Sequence, residues 1–116
     1  MAGQEEKASV LQDCLGQAQP LSELIEYSKD SIVSKTILNK SAGTITLFAF
    51  DAGQGLSEHT APYDAVVSIL DGECEVRIAG TMHRMVEGDT VIFPANVPHA
   101  LSAVTRFKMA LVMIRE

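Results

Sequence analysis

The chain has 116 residues, 47% of them hydrophobic, and a formal net charge of −6 with its nine Lys and Arg scattered. That length suits one domain, able to bury roughly two-thirds of the surface its unfolded chain exposes. Scattered basic residues on an acidic chain exclude a nucleic-acid footprint and a surface drawn to anionic lipid, so neither partner is expected. Cys14 and Cys74 stand far apart and outside any CxxC spacing, which suits a reducing compartment. The start MAGQEEKASV places acids where a signal peptide carries a basic patch, and no apolar run approaches the ~18 residues that cross a bilayer. A cytoplasmic location is expected.

In chain order, residues 1–19 are polar and Gln-rich without periodicity, and read as a flexible N-terminal segment ahead of a single domain over 20–116. PLSELIEY (20–27) has Pro20 and Ser22 at a helix start with Leu24 and Ile25 to bury, predicting at most two helical turns. From Ser31 the pattern changes to short β-like runs: SIVSKTIL, TITLFAF, AVVSIL, ECEVRIA, TMHRMV, TVIFPA, HALSAV and RFKMALVMI. Turn signals such as NKSAG, DAGQG, TAPYD, LDGE, AGT, VEGD and PANVP separate them at intervals of about ten residues, the pattern of an all-β sandwich or barrel. Asp71-Gly72 is a residue pair preferred in tight hairpins and predicts a turn there. After it Cys74, Val76 and Ile78 alternate with Glu73, Glu75 and Arg77, so one face of that strand is buried and the other wet.

Two histidines sit beside proline turns in otherwise apolar stretches. The first lies in Gly53, five residues, His59, one residue, Ala61, three residues, Ala65, six residues, Gly72. The second lies in Gly88, five residues, Pro94, four residues, His99, three residues, Ala103. Both frames resemble the two signature motifs of the cupin superfamily, G-x5-H-x-H-x(3–4)-E-x6-G and G-x5-P-x4-H-x3-N. The resemblance runs from about residue 30 to the C-terminus, and it implies an all-β double-stranded β-helix, or jelly-roll barrel.

In metal-binding cupins the two histidines and the Glu of the first motif join the His of the second on one metal. The matching positions here are His59, Ala61, Ala65 and His99, so the metal motif is depleted to two imidazoles, and the motif-two Asn is matched by Ala103. Catalytic zinc takes three protein ligands and non-haem iron two His and one carboxylate. Asp64 stands beside the vacant Glu position as a possible third ligand, although period-two alternation from Ala65 points it to the opposite face.

Three readings follow. The leading one is a small-molecule-binding cupin whose apolar barrel pocket is lined by His59, Ala61, Ala65, His99, Phe48, Phe50, Phe93 and Met109, with Met85, Phe107 and Met113 as further candidates. Its partner would be a small organic molecule bearing a carboxylate, carbonyl or hydroxyl. The second is a metal-dependent enzyme of dioxygenase or isomerase type, in which His59 and His99 hold one divalent Fe, Mn, Ni or Zn ion. The third is a structural or sensory module. The resemblance also implies a homodimer paired through N-terminal strands, with SIVSKTIL as the exposed edge. His83, Ser57, Ser68 and Ser102 lack any catalytic context, and Cys74 reads as an inert buried thiol.

Overall fold

The computed structural model describes residues 8–116, so the first seven residues of the segment read as flexible lie outside the described residues. Eight strands follow in order: β1 Ser9–Val10, β2 Ile32–Lys40, β3 Gly43–Phe50, β4 Gly55–His59, β5 Ala65–Ile78, β6 Thr81–Val86, β7 Thr90–Phe93 and β8 His99–Ile114. Two short 3-10 turns, Gln12–Cys14 and Leu21–Glu23, are the helical content among the described residues. The expected helix over 20–27 is thus a single turn; Tyr27, just after it, is anchored by its phenol donating to Asp71 Oδ2 at 2.5 Å. No described helix is long and apolar enough to cross a membrane.

Every pairing is antiparallel, and β5 and β8 pair along almost their whole lengths. Their outer halves diverge in partners. The first half of β5 pairs β7 and the second half β6; the first half of β8 pairs β4 and the second half β3. Two bent strands shared in this way split one continuous ladder into two facing sheets, β1-β2-β3-β8-β5-β7 and β4-β8-β5-β6. This is the jelly-roll barrel that the turn spacing predicts.

The bend corrects one sequence expectation. Asp71-Gly72 makes no hairpin: β5 runs through it, and the register of β5 against β8 breaks on both sides of the pair. Gly72 has φ +75°, and a Cβ there would stand 1.8 Å from the Arg106 carbonyl oxygen. The Asp-Gly signal for positive φ is satisfied by a bulge that bends a long strand. The tight β5–β6 hairpin falls instead at Ala79 and Gly80, with φ of 50° and 81°, closed by the Ile78↔Thr81 pair.

Alternation then sorts the side chains. Between the sheets lie Phe50, Val67, Ile69, Cys74, Val76, Met85, Phe93, Leu101, Phe107 and Met109, all buried. Each large apolar side chain so placed contributes roughly 1.5–3 kcal/mol. Phe50 and Phe107 stack with centroids 4.5 Å apart. A second, smaller cluster sits on the outside of the larger sheet, where Leu24, Ile25 and Tyr27 cover Leu47, Ala49 and Ala110. The N-terminal segment is therefore tied to the barrel from outside. Ser9–Val10 pair Asn39 and Leu38 of β2, and Leu11 N–H donates to Ile37 O at 2.8 Å. The run 31–38, read as a free edge, is β2; β1 borders its last residues.

Candidate functional site

His59 ends β4 and His99 begins β8, and the two are direct partners across that ladder. The loop before His99 is held rigidly. Asn96, at φ 62°, donates its backbone N–H to Ala61 O at 2.7 Å, and Ala79 N–H donates to Pro98 O at 2.9 Å. Asp64 Oδ1 accepts the Ala95 N–H at 2.7 Å. The carboxylate that sequence offered as a third metal ligand is thus a clasp on the PANVP loop and stays apart from the histidine pair.

The pair itself has a defined geometry. His59 Nδ1 lies 2.8 Å from Ser57 O, and His99 Nδ1 lies 3.2 Å from Val97 O. A carbonyl oxygen only accepts, so each Nδ1 carries a hydrogen and each Nε2 of a neutral ring carries a lone pair. The two Nε2 atoms meet at 3.1 Å, with the rings edge-on at 69° and centroids 4.3 Å apart. His59 is exposed, whereas His99 is only 6% exposed. Phe93 stacks on His99, 4.4 Å between centroids at 25°. Burial pulls the His99 pKa below its ordinary value; the Val97 carbonyl opposes this, and the charge of His59 lowers it further.

Around this pair the residues read as pocket lining are largely buried. Phe50 and Met109 are fully buried and Phe93 is 2% exposed, so these assigned lining residues are core; Phe48 packs against them half-buried. Met85 and Phe107 belong to the same core, and Met113 packs on its edge. Ala65 and Ala103, at the vacant ligand positions, are buried in the same cluster as Phe50, Phe93 and Phe107. Ala61 is half-buried at the mouth, outside the strands. Phe93 lies against the histidines themselves, a contact that sequence spacing does not reveal.

The donor set decides the metal question. Among the described residues no group of three or more His, Cys, Asp or Glu side chains converges. Two imidazoles without a carboxylate do not fit a resident divalent transition metal, which takes at least three protein ligands in the common catalytic arrangements. Cys74, whose thiol burial and the Asp89 charge push up to about 11, supplies no thiolate. His83 is exposed on β6, opposite Val76 and outside the pair.

The barrel agrees with known proteins. The family model described as Cupin domain matches residues 46–115. The chain is similar to a conserved protein of unknown function from Streptococcus pyogenes, at 32% identity and TM-score 0.86 over 97% of both chains. It is also similar to a cupin 2 conserved barrel domain protein from Leptotrichia buccalis, at 36% identity and TM-score 0.79, over 82% of this chain and 46% of that one. A cupin superfamily protein from Desulfitobacterium hafniense shares 27% identity at TM-score 0.83, over 88% and 94%. None of the curated proteins matches. With a barrel of two facing sheets, a histidine from each family motif brought to one mouth, and a family match over more than half its length, the chain belongs to the cupin family.

Proposed function

We propose that the protein binds a small organic molecule at the mouth of the barrel through His59 and His99, and that the group it recognises is a hydroxyl or carboxyl. One observation carries the reading: two Nε2 atoms converge at 3.1 Å while both Nδ1 atoms are committed to carbonyl oxygens. At that separation the two Nε2 atoms are within hydrogen-bond distance, so a single proton can be shared between them. Where Nε2 of the exposed His59 is an acceptor, a ligand's O–H can donate to it at the surface. A hydroxyl donates directly. A carboxylic acid brings its own proton, and transfer to one ring leaves a carboxylate beside an imidazolium, a stronger charge-assisted bond. A plain carbonyl donates nothing to an Nε2 acceptor and is disfavoured.

The ligand approaches from the His59 side, which is open, while Phe93, buried beneath His99, backs that ring. The test is a thermal-shift screen with short 2-hydroxy acids and aromatic carboxylic acids, followed by calorimetry in buffers of different ionisation enthalpy. At least one compound is expected to raise the melting temperature, as a ligand bound only to the folded state must. A carboxylate should bind with uptake of a proton, and His59→Ala should abolish the shift. A panel without any shift, or a shift that survives His59→Ala, overturns the reading.

A further inference from the structure

The outer face of the smaller sheet carries a cavity that the histidine pair leaves unused. On β5 Val76 is buried, so by alternation its neighbours Glu75 and Arg77 both project away from the core. Registry places Ser102 and Ala100 of β8 opposite them on one side, and Arg84 and Met82 of β6 on the other. Directly opposed residues share a face. Ala100 and Ser102 are short, and between longer side chains they floor a cavity of about 260 Å³ that Ser57, Glu75, Arg77 and Met82 also line. The charges at this cavity are uncommitted. Arg84 is held by Glu73, its Nε 2.7 Å from Oε2. Among the described residues neither Glu75 nor Arg77 has an ion pair or a side-chain hydrogen bond, with each other or with any neighbour.

We infer that this cavity binds a small zwitterion, a neutral α-amino acid with an aliphatic side chain. Arg77 presents a planar guanidinium that meets a carboxylate with two parallel N–H donors. Glu75 presents the carboxylate that an ammonium needs. Residues two apart on a strand stand about 6.6 Å apart. An ammonium and a carboxylate on one carbon, each reaching outward by a charge-assisted bond of ~2.8 Å, bridge that separation. Opposite charges side by side also select against simpler ions. A bare carboxylate drawn to Arg77 meets Glu75 and a chain of net charge −6, and a bare ammonium drawn to Glu75 meets Arg77. Ser57 and Ser102 bring hydroxyls, which both donate and accept, to the lining. Met82, across the ladder from Arg77 and 47% exposed, offers a flexible thioether to cover an aliphatic side chain. The volume sets the size limit. About 260 Å³ lies just below the usual range of ligand pockets, roughly 300–1,000 Å³, which suits one amino acid and not a peptide or a nucleotide.

Titration of the full chain, its methionine methyls isotope-labelled, with L-leucine tests this by NMR. The Met82 signal, identified by its loss in Met82→Leu, is expected to move saturably, while those of the buried Met85 and Met109 stay in place. Isocaproate and isopentylamine, each leucine without one of its two charged groups, should bind at least about fivefold more weakly. Arg77→Gln and Glu75→Gln should each weaken leucine binding by a similar factor, with the Met85 and Met109 signals reporting an intact barrel. Lys29→Gln, which removes a charge at an exposed position outside the cavity, should titrate as wild type. A Met82 signal that leucine does not move overturns the proposal. So does the acid or the amine binding as tightly as leucine, since one charge would then suffice. Unchanged binding in both Arg77→Gln and Glu75→Gln overturns it as well. Equal weakening by Lys29→Gln does the same, because leucine would then sense net charge alone.

Discussion

His59 and His99 hold their Nε2 atoms 3.1 Å apart while a backbone carbonyl two residues upstream fixes the Nδ1 of each ring. The same local geometry thus appears on two strands from different parts of the chain, and β4–β8 pairing brings the copies together. Both rings are oriented before any ligand arrives, which lowers the ordering cost of binding.

Protonation should oppose folding at this pair. Burial lowers the pKa of folded His99, so the unfolded chain takes up the proton first. The stability that a neutral His99 contributes is full above the ordinary histidine pKa of about 6.5. It is lost as pH falls through that value and levels off below the depressed folded one. Melting curves across this range should show a larger decline for wild type than for His99→Phe, which keeps the stack on Phe93. Identical slopes for the two proteins would remove His99 from the pH response.

Elemental analysis offers a direct check on the donor set. Protein purified without chelator from metal-supplemented cells should hold less than about a tenth of a transition-metal ion per chain, since two imidazoles are too few. His59→Ala should not change that value. Near-stoichiometric metal lost in His99→Ala would show that a third ligand comes from outside the described side chains.

Gly72 is where the barrel turns its corner. An added Cβ meets the Arg106 carbonyl oxygen at 1.8 Å with φ already at +75°, so Gly72→Ala should cost about 3 kcal/mol or more. Urea unfolding measures it. A loss below about 1 kcal/mol would mean that the bulge slips to a neighbouring residue.

Ala79 sits at φ 50° in the two-residue hairpin with Gly80, where an alanine Cβ is strained. Ala79→Asn creates the preferred Asn-Gly pair and should stabilise the protein by about 0.5–1 kcal/mol. No gain in the denaturation midpoint would place the strain elsewhere.

The fold was legible because its signals are local and repeated. Turn residues every ten positions and period-two alternation, as in Cys74, Val76 and Ile78, report which side of a strand is buried whatever strand lies next to it. The spacing of His59 and His99 within two motif frames was legible for the same reason, since each is counted along one stretch of chain. Asp71-Gly72 shows the limit: the pair correctly demands positive φ, but a hairpin and a bulge make the same local demand. Only the pairing of β5 with β8 on both sides decides between them.

Sequence by itself determined the β class, the barrel and the depletion of the metal motif to two imidazoles, because residue identity and spacing settle these. Tertiary structure decided the rest. It buried Phe50, Phe93 and Met109, tied Asp64 to the Ala95 N–H, and brought two Nε2 atoms together. It also gathered Ser57, Glu75, Arg77, Met82 and Ser102, which lie on four strands, round one cavity. Which side chains share a volume or a row depends on register between distant strands, and that is set by the packing of the whole barrel rather than by any one segment.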